Sequence, residues 1–181
     1  MKKSIGILEF RSIAKGIEAT DAMLKASNVQ LILSTPLCPG KYITIVRGEV
    51  GPINIAVEAG RQAGSDFALE GYVIHNVSEA VYPALTGTVN ADRLASLGII
   101  ETMTAVSSVI AGDIAVKASN VTLMEIRIAR GLGGKGFVLL TGEVASVKTA
   151  IQACEERLKQ EGIIIATSII ASPAKDILCA I

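Results

Sequence analysis

The sequence contains itself twice, and this constrains the fold more than any other feature. Ile5-Gly6-Ile7-Leu8-Glu9 returns as Leu97-Gly98-Ile99-Ile100-Glu101, a shift of 92 residues. The same shift takes Asp21 to Asp113, and carries Lys25-Ala26-Ser27-Asn28-Val29 unchanged to residues 117–121. Farther on the shift is 94: Gly40-Lys41 becomes Gly134-Lys135, and Gly48-Glu49-Val50 becomes Gly142-Glu143-Val144. The second copy therefore has two extra residues in one connection, where length changes are tolerated. Near the end of each copy the matching of Gly71 to Gly162 gives a shift of 91. Two copies are too few for a solenoid. The pattern predicts two similar domains, 1–88 and 89–181, joined near residues 86–94.

Each copy reads strand, helix, strand, strand, helix, strand. In the first, strands are expected at residues 5–10, 29–35, 42–47 and 72–76, and helices at 12–26 and 52–66. In the second, Val106, Val109, Ile110 and Ile114 recur at helical spacing, as do Val144, Val147, Ile151, Cys154 and Leu158. Asn28 and Asn120 are expected to end the first helix of each copy. The βαββαβ order predicts an α+β, ferredoxin-like layout: a four-stranded antiparallel sheet with two helices on one face.

Composition narrows the function. Lys and Arg total 17, Asp and Glu 17, and no charged block occurs, so nucleic-acid binding lacks its electrostatic footprint. No apolar run reaches the roughly 20 residues of a membrane helix, and no signal peptide is evident. Three widely spaced cysteines do not form a disulfide framework. A cytoplasmic, self-associating protein is expected.

The quoted repeats, with Val46-Arg47-Gly48-Glu49-Val50-Gly51 and Thr141-Gly142-Glu143-Val144, resemble the bacterial microcompartment shell domain across nearly the whole chain. The resemblance implies a structural tile rather than an enzyme. The tile would be a homotrimer that mimics a hexamer and assembles with other shell proteins around enzymes in the cytoplasm. It also implies that Lys25 and Lys117 line the tile edge. The basic partner stretch of that family is missing: Asn76-Val77-Ser78-Glu79 and Ala171-Ser172-Pro173-Ala174 stand there instead.

The loop Thr35-Pro36-Leu37-Cys38-Pro39-Gly40-Lys41 is similar to that of iron–sulfur-binding shell proteins of propanediol-utilisation microcompartments. That likeness implies a 4Fe–4S cluster on the trimer axis, one per trimer, held by three Cys38 thiolates beside Pro39 and Gly40. Read from the residues alone, Pro36 and Pro39 stiffen the loop, and Cys38 is either a metal-binding thiolate or a free thiol in a turn. The corresponding longer loop, 129–135, has Leu132 in place of Cys38. The resemblance makes both loops pore-facing, through Pro36, Leu37, Cys38 and Lys41 in one and Arg130, Gly131, Leu132, Gly133 and Gly134 in the other. Encapsulated redox enzymes would then be partners for electrons crossing the shell.

Other patterns lead elsewhere. Residues 131–136 match the GxGxxG string, but a strand follows where a dinucleotide site needs a helix. Cys154 on an apolar stripe reads as a small buried hydrophobe, Cys179 as incidental, and the lone His75 as structural. Glu9 and Glu101, repeated at equivalent positions, suggest structure rather than acid–base chemistry. Competing functions are a tile with an unmetallated metabolite pore, a ferredoxin-like small-molecule sensor, and an oxidoreductase.

Overall fold

The computed structural model describes residues 3–89, 95–128, 131–158, 162–174 and 176–177. Among them run β1 (Ser4–Phe10), α1 (Ile13–Ala26), β2 (Gln30–Leu37), β3 (Lys41–Gly48), α2 (Val50–Gly64), β4 (Ala68–Ile74), α3 (Val81–Thr86), β5 (Leu97–Thr102), α4 (Ala105–Ala118), β6 (Thr122–Ile128), β7 (Gly136–Thr141), α5 (Val144–Leu158) and β8 (Ile164–Ile170). The strands form two antiparallel four-stranded sheets, ordered β2-β3-β1-β4 and β6-β7-β5-β8. Each sheet has the expected ferredoxin-like order.

The chain divides into two compact units: Met1–Val77 with Ala129–Gly134, and Ser78–Ile128 with Lys135–Ile181. In the first, α1 and α2 pack on each other and on the sheet around Leu8, Phe10, Met23, Tyr42, Val46 and Ile53. In the second, α4 and α5 do the same. One helix was not legible in the sequence. The α3 segment joins the second unit, packing on β6 and α4. Gly87 closes it at φ +67°, a left-handed position suited to glycine.

The repeat holds at the level of single hydrogen bonds. Ser12 and Thr104 cap α1 and α4 by accepting from the amides of Lys15 and Ser107. Ser27 and Ser119 end those helices in extended conformation, and their hydroxyls donate to the carbonyls of Pro52 and Ser146 at 2.6 Å. The caps are therefore serines, not the expected Asn28 and Asn120, because the serine hydroxyl ties the helix end to the neighbouring helix. Equivalent register shifts occur between Leu31 and Leu33 and between Leu123 and Glu125.

Strand register corrects the matching of the last strands. Ile5 pairs with Ile74, and its counterpart Leu97 pairs with Ile170, a shift of 96 rather than 91. Gly71 lies inside β4, where an added Cβ would meet Leu8 at 2.6 Å. Gly162 precedes β8 at φ +62°. The two glycines serve different physical needs, so their alignment was accidental.

In three core pairs the larger residue changes sides between the repeats. Tyr42 packs on Gly16, where their counterparts are Gly136 and Ser108. Phe10 packs on Gly64, where the second copy has Thr102 and Leu158. Met23 packs on Gly60, where the second copy has Ala115 and Cys154. In each pair the glycine or smaller side chain of one repeat faces the larger one across the contact, and in the other repeat the two sides are reversed.

Candidate functional site

The β2–β3 connection is three residues long, Cys38-Pro39-Gly40. Thr35 and Leu37 are buried and anchor its base, while Pro36 pairs with Tyr42 across the ladder. The Cys38–Pro39 peptide is cis, and Gly40 follows at φ +72°, which only glycine adopts without strain. Cys38 is a free thiol, half-buried, with exposed Pro39 and Gly40 beyond it. Lys41 leaves the loop and reaches back, its Nζ 3.4 Å from Oε2 of buried Glu9. Lys135 and Glu101 form the equivalent pair at 2.9 Å. The repeated glutamates thus fix the first residue after each loop.

The second loop lies beside the first. Gly131–Gly134 belong to the first unit, and a Cβ added at Gly134 would sit 3.4 Å from the Cys38 carbonyl oxygen. Gly131, Gly133 and Gly134 all have positive φ, at 73°, 62° and 94°. Leu132 is half-buried among them. Arg130, expected to act in this loop, lies outside the described residues. The loop leads into β7, as its sequence required, so the glycine string has no helix to serve.

Among the described residues, the donor set at this loop is a single soft thiol, that of Cys38. Among the described residues, no group of three His, Cys, Asp or Glu gathers as metal ligands. Cys38 fits a cluster only as one ligand of several contributed by different chains. Cys154 is no candidate. It is buried, its Sγ donates to the Ala111 carbonyl at 3.3 Å, and burial, aided by nearby Glu155, pushes its pKa up to about 12. Cys179 lies outside the described residues. His75 is exposed, with its Nδ1 3.4 Å from the Ser4 hydroxyl. An open depression of about 670 Å³, lined by Lys3, Asn28, Gln30, Arg47 and Glu49, lies at the opposite end of β2 from Cys38.

Lys25 and Lys117 occupy the last turns of α1 and α4, each paired with the aspartate one turn earlier. The environments differ. The Lys25–Asp21 pair is exposed, whereas Asp113 is buried and also accepts from the Ser78 amide at 2.8 Å.

Duplicated α+β domains with these signatures define a class: the BMC domain family matches residues 4–83 and again 96–173, and the chain belongs to that family. It is 39% identical over 173 residues to the bacterial microcompartment shell protein PduT of Citrobacter freundii, spanning 96% of this chain and 94% of that protein. The carboxysome shell protein CsoS1A of Hydrogenovibrio crunogenus is 39% identical over 87 residues, 46% of this chain and 90% of that one. The crystal structure of a microcompartments protein from Desulfitobacterium hafniense DCB superimposes with a TM-score of 0.94 at 41% identity, covering 99% of both chains. The chain is a tandem-domain microcompartment shell protein, structural rather than enzymatic. No helix among the described residues is long and apolar enough to cross a membrane.

Proposed function

We propose that three copies form one shell tile in which the Cys38 loops meet on the threefold axis, and that the three thiolates bind a 4Fe–4S cluster. The observation that carries this reading is the asymmetry between the repeats. A thiol stands at the tip of the tight first loop, and Leu132 stands in the longer second loop beside it. A trimer of such chains presents three thiols, not six, and so leaves one iron of the cluster for a ligand from elsewhere. A bound cluster supplies one-electron transfer, here between the two sides of a shell. Cys38 holds it, Pro39 and Gly40 shape its approach, and the salt bridges Lys41–Glu9 and Lys135–Glu101 hold the strand ends behind both loops. Redox enzymes within the compartment are the partners for those electrons. Lys25 and Lys117 line the tile edges.

The test is anaerobic purification with iron and sulfide analysis and EPR, wild type beside Cys38→Ala. One cluster per three chains, lost in the variant while the trimer persists, is the expected result. A trimer without iron in the wild type overturns the cluster and leaves a tile whose central loops form a metabolite pore.

A further inference from the structure

The residues lining the open depression at the end of β2 far from Cys38 fall into two kinds when the repeats are compared. Asn28, Val29, Gly48 and Glu49 return unchanged as Asn120, Val121, Gly142 and Glu143. These belong to the shared frame. Asn28 and Val29 follow α1, and the Glu49 carbonyl accepts from the Ile53 amide in α2 as the Glu143 carbonyl accepts from Val147 in α5. The other lining residues, Lys3, Gln30 and Arg47, become Ala95, Thr122 and Thr141 in the second repeat. The repeats share the outline of this place and differ in the groups that carry charge or a carboxamide.

Strand register brings the three differing residues together. Gln30 pairs with Arg47 across β2 and β3, and Arg47 pairs with Ile5 of β1, just beyond Lys3. The Arg47 Nε donates to Gln30 Oε1 at 2.7 Å, and this bond to a neutral amide orients the guanidinium without cancelling its charge. In the second repeat the matching position is tied up internally. Thr141 is buried and donates to the Ser96 carbonyl at 2.7 Å, and the Ser96 hydroxyl donates to the Gly142 carbonyl at 2.7 Å. In the first repeat two cations and a carboxamide instead line an open space of about 670 Å³, within the size range of small-molecule sites.

We propose that this depression binds a small phosphate monoester, with the phosphate on Arg47 and Lys3. A guanidinium takes two phosphate oxygens through parallel N–H···O bonds, and a lysine adds a compact point charge. A phosphate monoester is close to a dianion at neutral pH and so matches two cations, where a carboxylate matches one. Gln30 is a positioning residue that sets the plane of the Arg47 guanidinium. Glu49, also on the lining, repels a phosphate but accepts from a hydroxyl, so it selects an ester whose organic part carries hydroxyl groups. The site is built wholly from the first unit and lies at the other end of β2 from Cys38, so it stands apart from the cluster reading.

The test is a titration of the deuterated, 15N-labelled full chain with glycerol 3-phosphate at constant ionic strength, followed by TROSY NMR. Glycerol and sodium chloride are the controls, since exposed charges also respond to salt alone. Arg47→Thr and Lys3→Ala carry the residues that the second repeat already holds at these positions, and circular dichroism checks their fold. The expected result is a saturable shift of the amides of residues 28–30 and 47–51, with residues 120–122 and 141–145 as the unresponsive internal reference. Each variant should weaken binding about tenfold or more. No saturable shift, a shift that glycerol or chloride reproduces, an equal response in both repeats, or unchanged binding by Arg47→Thr overturns the site.

Discussion

Gly16→Ala tests the exchange of core volume between the repeats. The added methyl would sit 2.5 Å from Cδ1, 2.7 Å from Cβ and 2.8 Å from Cγ of Tyr42. These atoms lie near the backbone of a buried residue, and the ring is also tethered because Ser34 donates to its hydroxyl at 2.8 Å. The ring cannot step aside without losing that bond. Overpacking costs about 1–3 kcal/mol, and the tether places this case near 3. Replacing glycine by alanine inside a helix returns about 1 kcal/mol. The net expectation is a loss of about 2 kcal/mol. In a Tyr42→Gly background, which removes the ring and the Cβ alike, the clash is gone, so the same substitution should stabilise by about 1 kcal/mol. The coupling between the two sites is then about 3 kcal/mol, read from a double-mutant cycle of urea unfolding followed by circular dichroism at fixed protein concentration. Equal effects of Gly16→Ala in both backgrounds would refute the packing argument.

Four other outcomes follow from the same structure. Lys117→Ala removes the ionic partner of buried Asp113 and should destabilise by about 1–3 kcal/mol. Lys25→Ala breaks an exposed pair worth about 0.5 kcal/mol or less, so it should leave the melting curve nearly unchanged while weakening tile-to-tile sheets seen by electron microscopy. Of the two cysteines Cys38 and Cys154, only Cys38 should be alkylated in the folded apoprotein at neutral pH, with Cys154 reacting after unfolding, as peptide mass mapping would show. Raised from 9.0 to about 12 by burial, the Cys154 thiol keeps its proton longer when folded than unfolded, so its contribution to stability holds below pH 9 and is lost between 9 and 12. Denaturation midpoints of wild type and Cys154→Ser across that range should differ in slope.

The helices of the second copy were legible from the i, i+3, i+4 spacing in α4 and α5, and the repeat carries the same element order to the first copy. The α3 helix was missed because six residues containing Pro83 carry too little periodicity, although Gly87 just past its end was a stop signal. Val144 was expected on the apolar stripe of α5 but stands 44% exposed in its first turn, before the helix has settled onto the sheet. In α4, Val106, Val109 and Ile114 of the expected stripe are only part of the buried surface, since Ser107, Ser108 and Asp113 are buried as well. Burial there comes from neighbours outside the local window, which no spacing rule reads. Around Cys38 the loop length was evident. The proximity of the Gly131–Gly134 loop was not, because it depends on how the chain returns to the first unit.

The same comparison explains why the repeats could diverge without losing the fold. In the first unit Thr20, Ser34, Tyr42 and Thr44 form a connected set of hydroxyls, with Thr20 also donating to the Gly16 carbonyl at 2.7 Å. Their counterparts are Gly112, Ile126, Gly136 and Val138, and a Cβ at Gly112 would meet Ile126 at 2.6 Å. A polar network has been replaced as a whole by an apolar contact, which leaves no buried hydroxyl without a partner; changing one member alone would. Gly112→Thr should therefore be poorly tolerated by itself, from steric overlap with Ile126. It should be tolerated better when Ile126→Ser and Val138→Thr restore the partners. If the triple variant melts no higher than the single one, the two cores differ in backbone shape and not only in how they divide the same space.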